Sequence, residues 1–264
     1  MKASKIVIKT EEDIEHLRIS GRLAAQVLEM IGPYVKPGVT TEYLDDICYD
    51  YIVNTLKVTP ANIGYYGYTK TTCISPNEVV CHGIPAPNIV LQDGDIINID
   101  VAIIKDGYFG DTSRMYYVGT PRPEAKRLVD TTYEAMCAGI RVVKPGATLG
   151  DVGHAIQTVA QAQGYSIVRE YCGHGIGKVY HEAPSVVHYG QPGQGVVLQE
   201  GMVFTIEPMI NMGKARTKEL KDGWTVVTAD KSLSAQWEHM VAVTATGYEV
   251  LSPWPEGTGD YAEI

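Results

Sequence analysis

Four acidic residues stand in strongly apolar surroundings. Asp100 sits in the middle of the β-branched run 96–104, and Asp111 follows in Gly110-Asp111-Thr112-Ser113-Arg114. Glu207 closes Phe204-Thr205-Ile206-Glu207-Pro208, and Glu238 lies in Ser234-Ala235-Gln236-Trp237-Glu238-His239. A carboxylate buried without a partner is costly. Two like charges about 4 Å apart repel by roughly 4 kcal/mol at an effective dielectric near 20. Four that converge cannot all stay ionised without compensation, and two divalent cations bring four positive charges against them. The alternative is that each acid pairs with a basic neighbour. Arg114 is placed to serve Asp111, but Lys and Arg are scarce around Glu207 and Glu238. A two-metal site accounts for all four acids together.

Gly173-His174-Gly175-Ile176-Gly177 adds an imidazole between glycines, which let the backbone approach a ligand closely. One imidazole with four carboxylates is a hard, oxygen-rich set, unlike a Cys-rich structural zinc site. It suits Mn, Fe(II), Co or Zn in a catalytic role. His181, in Tyr180-His181-Glu182-Ala183-Pro184, and His82, in Cys81-His82-Gly83-Ile84-Pro85, have the Gly- and Pro-rich flanks of site loops. His16, His154 and His188 lack such flanks and read as ordinary. His239, next to Glu238, is expected on the opposite face of its strand.

The elements that must position these residues occur twice. Thr10 can cap a helix with the acidic first turn Glu11, Glu12 and Asp13, ended by Gly32-Pro33. Lys36-Pro37-Gly38-Val39-Thr40 then leads into a helix over about 41–56. Pro123-Glu124 opens a helix towards Val143. Lys144-Pro145-Gly146-Ala147-Thr148 leads into another, to about Gln163. The run 91–100, ending in Asp100, parallels 198–207, ending in Glu207. Asp106-Gly107 and Asp222-Gly223 each read as a turn between strands. The pattern predicts an α+β fold, an antiparallel sheet covered by helices, internally duplicated with pseudo-twofold symmetry. We expect one catalytic domain over 1–264, with repeats at about 11–120 and 121–250 and a tail at 251–264. The site should lie where the halves meet.

The composition narrows the class. The chain has 264 residues, 45% hydrophobic and 20% charged, as in soluble globular proteins. A net charge of −9 argues against DNA or RNA as the main partner, since phosphate backbones recruit basic surfaces. No apolar run is long enough for a membrane helix, and no signal peptide is read at the N-terminus. Five cysteines without a CxxC fit a reducing compartment, and the expected location is the cytoplasm.

The segments CHGIP (81–85), NIDVAIIKDGYFGDTSR (98–114), GHGIG (173–177), HEAP (181–184), FTIEP (204–208) and SAQWEH (234–239) resemble the type I methionine aminopeptidases of bacteria, in the M24 "pita-bread" metallopeptidase family. The likeness covers about 14–253. It implies that Asp111 and Glu238 bridge two metals, that Asp100 binds one, and that His174 and Glu207 bind the other. It implies excision of the initiator methionine from N-terminal Met-peptides of nascent proteins, by metal-hydroxide attack on the first peptide bond. In that scheme one metal holds the free amine, His82 and His181 contact substrate, and Glu207 shuttles the proton. Tyr65, Tyr68, Cys73, Tyr180 and Trp224 correspond to the methionine pocket. Tyr180 stands where the family usually has Phe, and Asn62 where bacterial relatives often have Cys. Asn77, Val79 and Ser234 match a monovalent-cation site. Relatives dock at the ribosome exit through a basic loop, which Lys214, Arg216, Lys218 and Lys221 resemble; a merely solvated loop is the other reading. The expected state is a monomer. Competing functions are a proline-specific aminopeptidase or dipeptidase of the same fold, expected to carry further N-terminal domains, and a non-catalytic peptide-binding relative, expected to have lost ligands. A metal-dependent phosphoesterase would want basic groups near the acids, and few are there.

Overall fold

The computed structural model describes residues 5–254. Helix α1 (Glu11–Ile31) starts at Thr10, whose hydroxyl accepts the Asp13 N–H at 3.1 Å while the Asp13 carboxylate accepts the Thr10 N–H at 3.0 Å. This reciprocal cap satisfies donors that the first turn leaves open. Helix α2 (Thr41–Asp50) is capped by Thr40 and runs on as a wide π-type turn, Tyr51–Thr55. The strands β1 (Thr59–Pro60), β2 (Thr72–Pro76), β3 (Val79–Cys81), β4 (Ile96–Lys105) and β5 (Tyr108–Tyr117) complete the first half.

The second half begins with α3 (Pro123–Arg141) and α4 (Leu149–Ala162). It continues through β6 (Ser166–Ile167), β7 (Gly173–Gly175), β8 (Glu182–Val186), β9 (Val203–Ile206) and β10 (Met209–Asn211). It ends with β11 (Thr217–Glu219), β12 (Val226–Thr228), β13 (Ser234–Gln236), β14 (His239–Val243) and β15 (Tyr248–Val250).

The duplication reaches the level of single hydrogen bonds. Gly38 and Gly146 both take a left-handed backbone, φ 88° and 87°, which glycine alone adopts at little cost. The Gly38 N–H donates to the Leu91 carbonyl at 2.8 Å, and the Gly146 N–H to the Leu198 carbonyl at 3.0 Å. In return the Leu91 N–H reaches the Val39 carbonyl, and the Leu198 N–H the Ala147 carbonyl, at 2.9 and 2.8 Å. Thr148 caps α4 with Asp151 by the same reciprocal bonds that join Thr10 and Asp13.

All ladders are antiparallel, as expected, and among the described residues they form four hydrogen-bonded sheets: β1–β4–β2 with β5 on the far edge of β4, β13–β10–β6, β11–β12–β3, and β15–β14–β9–β7–β8. One break falls at Pro208, between β9 and β10, where the missing N–H interrupts the ladder. The register survives it: Ile206 pairs with His239 before the break and Met209 with Gln236 after it.

One buried cluster draws on both halves, from Leu28, Leu44 and Ile99 to Ile140, Phe204 and Trp237. The first residues of the tail expected at 251–264 are packed against the fold. Leu251 and Ser252 are fully buried and Trp254 nearly so, because the Leu251 N–H bonds the Met240 carbonyl and the Ser252 hydroxyl accepts the Met240 N–H. The rest of the expected tail, 255–264, lies outside the described residues.

Candidate metal centre

In the β4–β5 hairpin, Asp100 pairs with Ser113 and Ala102 with Asp111. Paired residues, and residues two apart, share a face of a sheet, so both carboxylates emerge on one side. The turn is Asp106-Gly107, with φ 52° and 82°, a two-residue hairpin that fixes this register. In the other half, the registers on either side of Pro208 bring Glu207 opposite Glu238. The hairpins meet at one bridge, where the Glu238 N–H donates to the Ser113 carbonyl at 3.1 Å. The Thr112 hydroxyl donates to the Glu238 carbonyl at 2.7 Å, and Asn98 Nδ2 to the Gln236 carbonyl at 2.8 Å.

His174 enters from β7. Its N–H is held by Thr205 Oγ1 at 3.0 Å, and its Nε2 lies 3.5 Å from Asp111 Oδ2 and 3.7 Å from Glu207 Oε1. Ligand atoms of Asp111, His174 and Glu238 all lie within 4.8 Å of one another.

The electrostatics show a site short of positive charge. Burial, and then the charges of Asp111 and Glu207, hold Asp100 well above the usual carboxylate range. Glu238 is raised in the same way by burial and by Asp111, Glu207 and Asp100. Burial pushes Glu207 up to about 7 against the opposing pull of His174. Burial alone would lower His174, but its bond to Asp111 and the Glu207 and Asp111 charges outweigh that and raise it. Asp100 Oδ1 is buried without a hydrogen-bond partner, which a stable interior rarely tolerates. Hard oxygen donors, one imidazole and an orphaned carboxylate oxygen fit divalent cations.

A cavity of about 270 Å³ opens on this cluster, and all five candidate ligands line it. So do His82, His181, Tyr65, Tyr68, Cys73, Tyr180 and Trp224. His181 Nδ1 is 2.7 Å from the Tyr65 hydroxyl, and burial holds the ring down to about 3. Trp224 packs edge-on against Tyr68 and His82, with centroids 5.0 and 6.0 Å apart. Cys73 stands opposite Asp100 in the ladder, and burial pushes its thiol up.

The two departures from the family pattern are partners. The Tyr180 hydroxyl donates to Asn62 Oδ1 at 2.9 Å, and Asn62 Nδ2 donates to the Thr71 carbonyl at 3.0 Å. The added hydroxyl is thus satisfied by the added amide.

Sequence reasoning missed several residues here. Gln236 lines the cavity and its Nε2 donates to Glu207 Oε2 at 3.2 Å. Its place two residues before Glu238, on the same strand face, was the available signal. The Thr205 hydroxyl holds Glu207 Oε1 at 2.7 Å. His188, read as ordinary, accepts the Glu207 N–H at 3.1 Å, and nothing in its flanks signals this. Cys81, Glu170, Tyr171, Cys172 and Met209 also line the cavity. His239 turns away, as expected, towards Ser252 and Trp254.

The other candidates lie elsewhere. Asn77 and Ser234 meet where the Ser234 N–H donates to the Asn77 carbonyl at 2.9 Å, and Val79 begins the strand that follows. Lys214, Arg216, Lys218 and Lys221 are exposed, the first three at alternate positions along one edge segment. Among the described residues no helix is long and apolar enough to cross a membrane.

The sequence matches the model of metallopeptidase family M24 over residues 15–245. It is 58% identical over 247 residues to the methionine aminopeptidase of Escherichia coli, covering 94% of each chain. The crystal structure of methionine aminopeptidase from Rickettsia prowazekii superposes with a TM-score of 0.92 at 53% identity, covering 94% of this chain and 100% of that one. A prolidase from Pyrococcus furiosus shares the fold alone, at 22% identity and a TM-score of 0.74, covering 93% of this chain and 65% of that one. The chain therefore belongs to metallopeptidase family M24, within its bacterial type I methionine aminopeptidases.

Proposed function

We propose that this enzyme removes methionine from the N-terminus of peptides and newly made proteins, using divalent ions held by Asp100, Asp111, His174, Glu207 and Glu238. The observation that carries this is the convergence of those five side chains with His82 and His181 on one small cavity. Divalent ions supply activation of water near neutral pH and polarisation of the scissile carbonyl. Glu207, pushed up to about 7, is poised to take and return a proton near physiological pH. Thr205 and Gln236 hold both of its oxygens in place. His181, anchored by Tyr65, stabilises the oxyanion that develops on the carbonyl, and His82 engages the amide nitrogen beyond the scissile bond. Tyr65, Tyr68, Cys73, Tyr180 and Trp224 give the soft, aromatic wall that suits a thioether.

The working metal is one of Co, Mn, Fe(II) or Zn, and Asn77, Val79 and Ser234 hold a monovalent cation. The protein works as a monomer in the cytoplasm, in keeping with its five unpaired cysteines. The exposed Lys214, Arg216, Lys218 and Lys221 dock it at the ribosome; unchanged co-sedimentation after Lys→Glu changes there would remove that part. For the site itself, Asp111→Asn and Glu238→Gln are expected to bind less Mn(II) by titration calorimetry and to lose methionine release. Full activity in either variant sinks the assignment.

A further inference from the structure

The loop 177–182 carries Tyr180 and His181 on the cavity wall, and both of its ends touch one side chain from a distant segment. Lys9 lies in the stretch before α1 and is 8% exposed. Its ammonium forms an ion pair with Glu182, the residue that ends the loop. At the other end the lysine tip passes close against Gly177, where a Cβ would stand 2.8 Å from Lys9 Nζ and 2.9 Å from its Cε. The lysine backbone is fixed as well, its N–H donating to the Gly201 carbonyl at 2.7 Å. A weaker tie runs parallel to it. Lys178 Nζ lies 3.7 Å from Asp13 Oδ1 and 4.8 Å from the Tyr108 ring centroid.

A buried ammonium that loses its carboxylate partner, or the reverse, leaves an uncompensated charge, so breaking such a pair is costly. Within the loop, Tyr180 stacks on Phe109 with centroids 5.0 Å apart and lies 4.2 Å from His181. We propose that Lys9 is a positioning residue for the reaction: it clamps both ends of the 177–182 loop and so fixes His181 over the cavity. This rests on the reading of His181 as a substrate-contacting group. Lys9 touches neither the cavity lining's reacting atoms nor the candidate metal ligands, and acts through the loop.

The test uses the full-length, Mn(II)-loaded protein and its Lys9→Met, Lys9→Arg and Glu182→Gln variants. Amide hydrogen exchange is followed at 179–181, with kcat and KM on a methionyl peptide and Mn(II) affinity by calorimetry. Lys9→Met is expected to speed exchange in the loop and lower kcat on the order of 10- to 100-fold, the cost of a misplaced catalytic group, with KM and Mn(II) affinity little changed. Lys9→Arg should restore most of both. Where Lys9→Met does not fold, Glu182→Gln, which removes the ion pair but keeps the shape, is read in the same way. Unchanged loop exchange, unchanged kcat, or Mn(II) affinity lost in step with kcat each overturns the clamp. A wild-type protein that releases no methionine overturns the proposed function instead, and the exchange measurement still decides the clamp.

Discussion

Ser113 and Glu238 hold matching places in the two halves of the chain, and they bond to each other. Ser113 pairs with Asp100 in one hairpin, and the register sets Glu238 opposite Glu207 in the other. The bridge between them, Glu238 N–H to Ser113 carbonyl at 3.1 Å, joins the halves at the place where the acids converge. Duplication thus gives a physical reason for the site: equivalent strands meeting across a pseudo-twofold seam bring equivalent carboxylates together.

Thr112 strengthens this seam through its hydroxyl, which donates to the Glu238 carbonyl in a fully buried setting. Thr112→Val keeps the shape and removes that donor. A loss of about 1–3 kcal/mol in urea unfolding is expected, the usual cost of leaving a buried acceptor unpaired. Unchanged stability would mean that the Thr112 hydroxyl does not strengthen the seam.

Metal binding should release protons. Glu207 stands at about 7, and Asp100 and Glu238 are shifted the same way, above the usual carboxylate range, so the metal-free site holds protons more tightly than free carboxylates do. Ligation requires the deprotonated forms. The calorimetric heat of Mn(II) binding at neutral pH should therefore vary with the ionisation enthalpy of the buffer, in the sense of proton release. For the metal-free fold the sign is set by the raised values: Glu207 binds its proton more tightly folded than unfolded. Its contribution is present below 4.5 and is lost as pH rises through about 7. Metal should accordingly raise the melting temperature most at the alkaline end of that window.

Two histidines impose the opposite trend on the acid side. Burial holds His188 and His239 down to about 3, against an ordinary 6.5. Between these values the unfolded chain binds protons that the folded chain refuses. Stability is therefore full above 6.5 and falls as pH drops towards about 3, by up to roughly 1.4 kcal/mol per pH unit for each group. His239→Gln should flatten the fall in melting temperature with acidification; an unaltered slope would show that His239 does not carry it.

The Tyr180–Asn62 bond predicts non-additive mutations. Tyr180→Phe strands the Asn62 acceptor and Asn62→Cys strands the Tyr180 donor, each in a buried position. Each single change should cost about 1–3 kcal/mol, while the double change, which removes both partners, should cost less than the sum. Strict additivity in urea unfolding would mean that the two residues act independently.

Much of this was legible in the sequence, for stated physical reasons. The KPG segments and the acidic strand ends exposed the duplication, because glycines such as Gly38 and Gly146 serve left-handed turns that few residues tolerate. Asp100 and Asp111 were legible as neighbours across a hairpin, because the Asp106-Gly107 turn falls midway between them. The supports of Glu207 were not all legible. Gln236 and Thr205 act through tertiary contacts, and His188 reaches Glu207 from a segment with no local signature. The division into four sheets was likewise invisible, since it depends on which edges remain paired around breaks such as Pro208.

The central claim is that five acidic and histidine side chains hold divalent ions for cleavage at a free N-terminal methionine. The most direct measurement takes metal-stripped protein, adds Mn(II), Co(II), Fe(II) or Zn(II) singly, and follows amino-acid release from Met-Ala-Ser, its N-acetylated form and Leu-Ala-Ser. Methionine release from the free-amine methionyl peptide alone, dependent on added metal and lost in Asp111→Asn, is the predicted result. Release without metal, cleavage of the acetylated peptide, or full turnover by Asp111→Asn would contradict it.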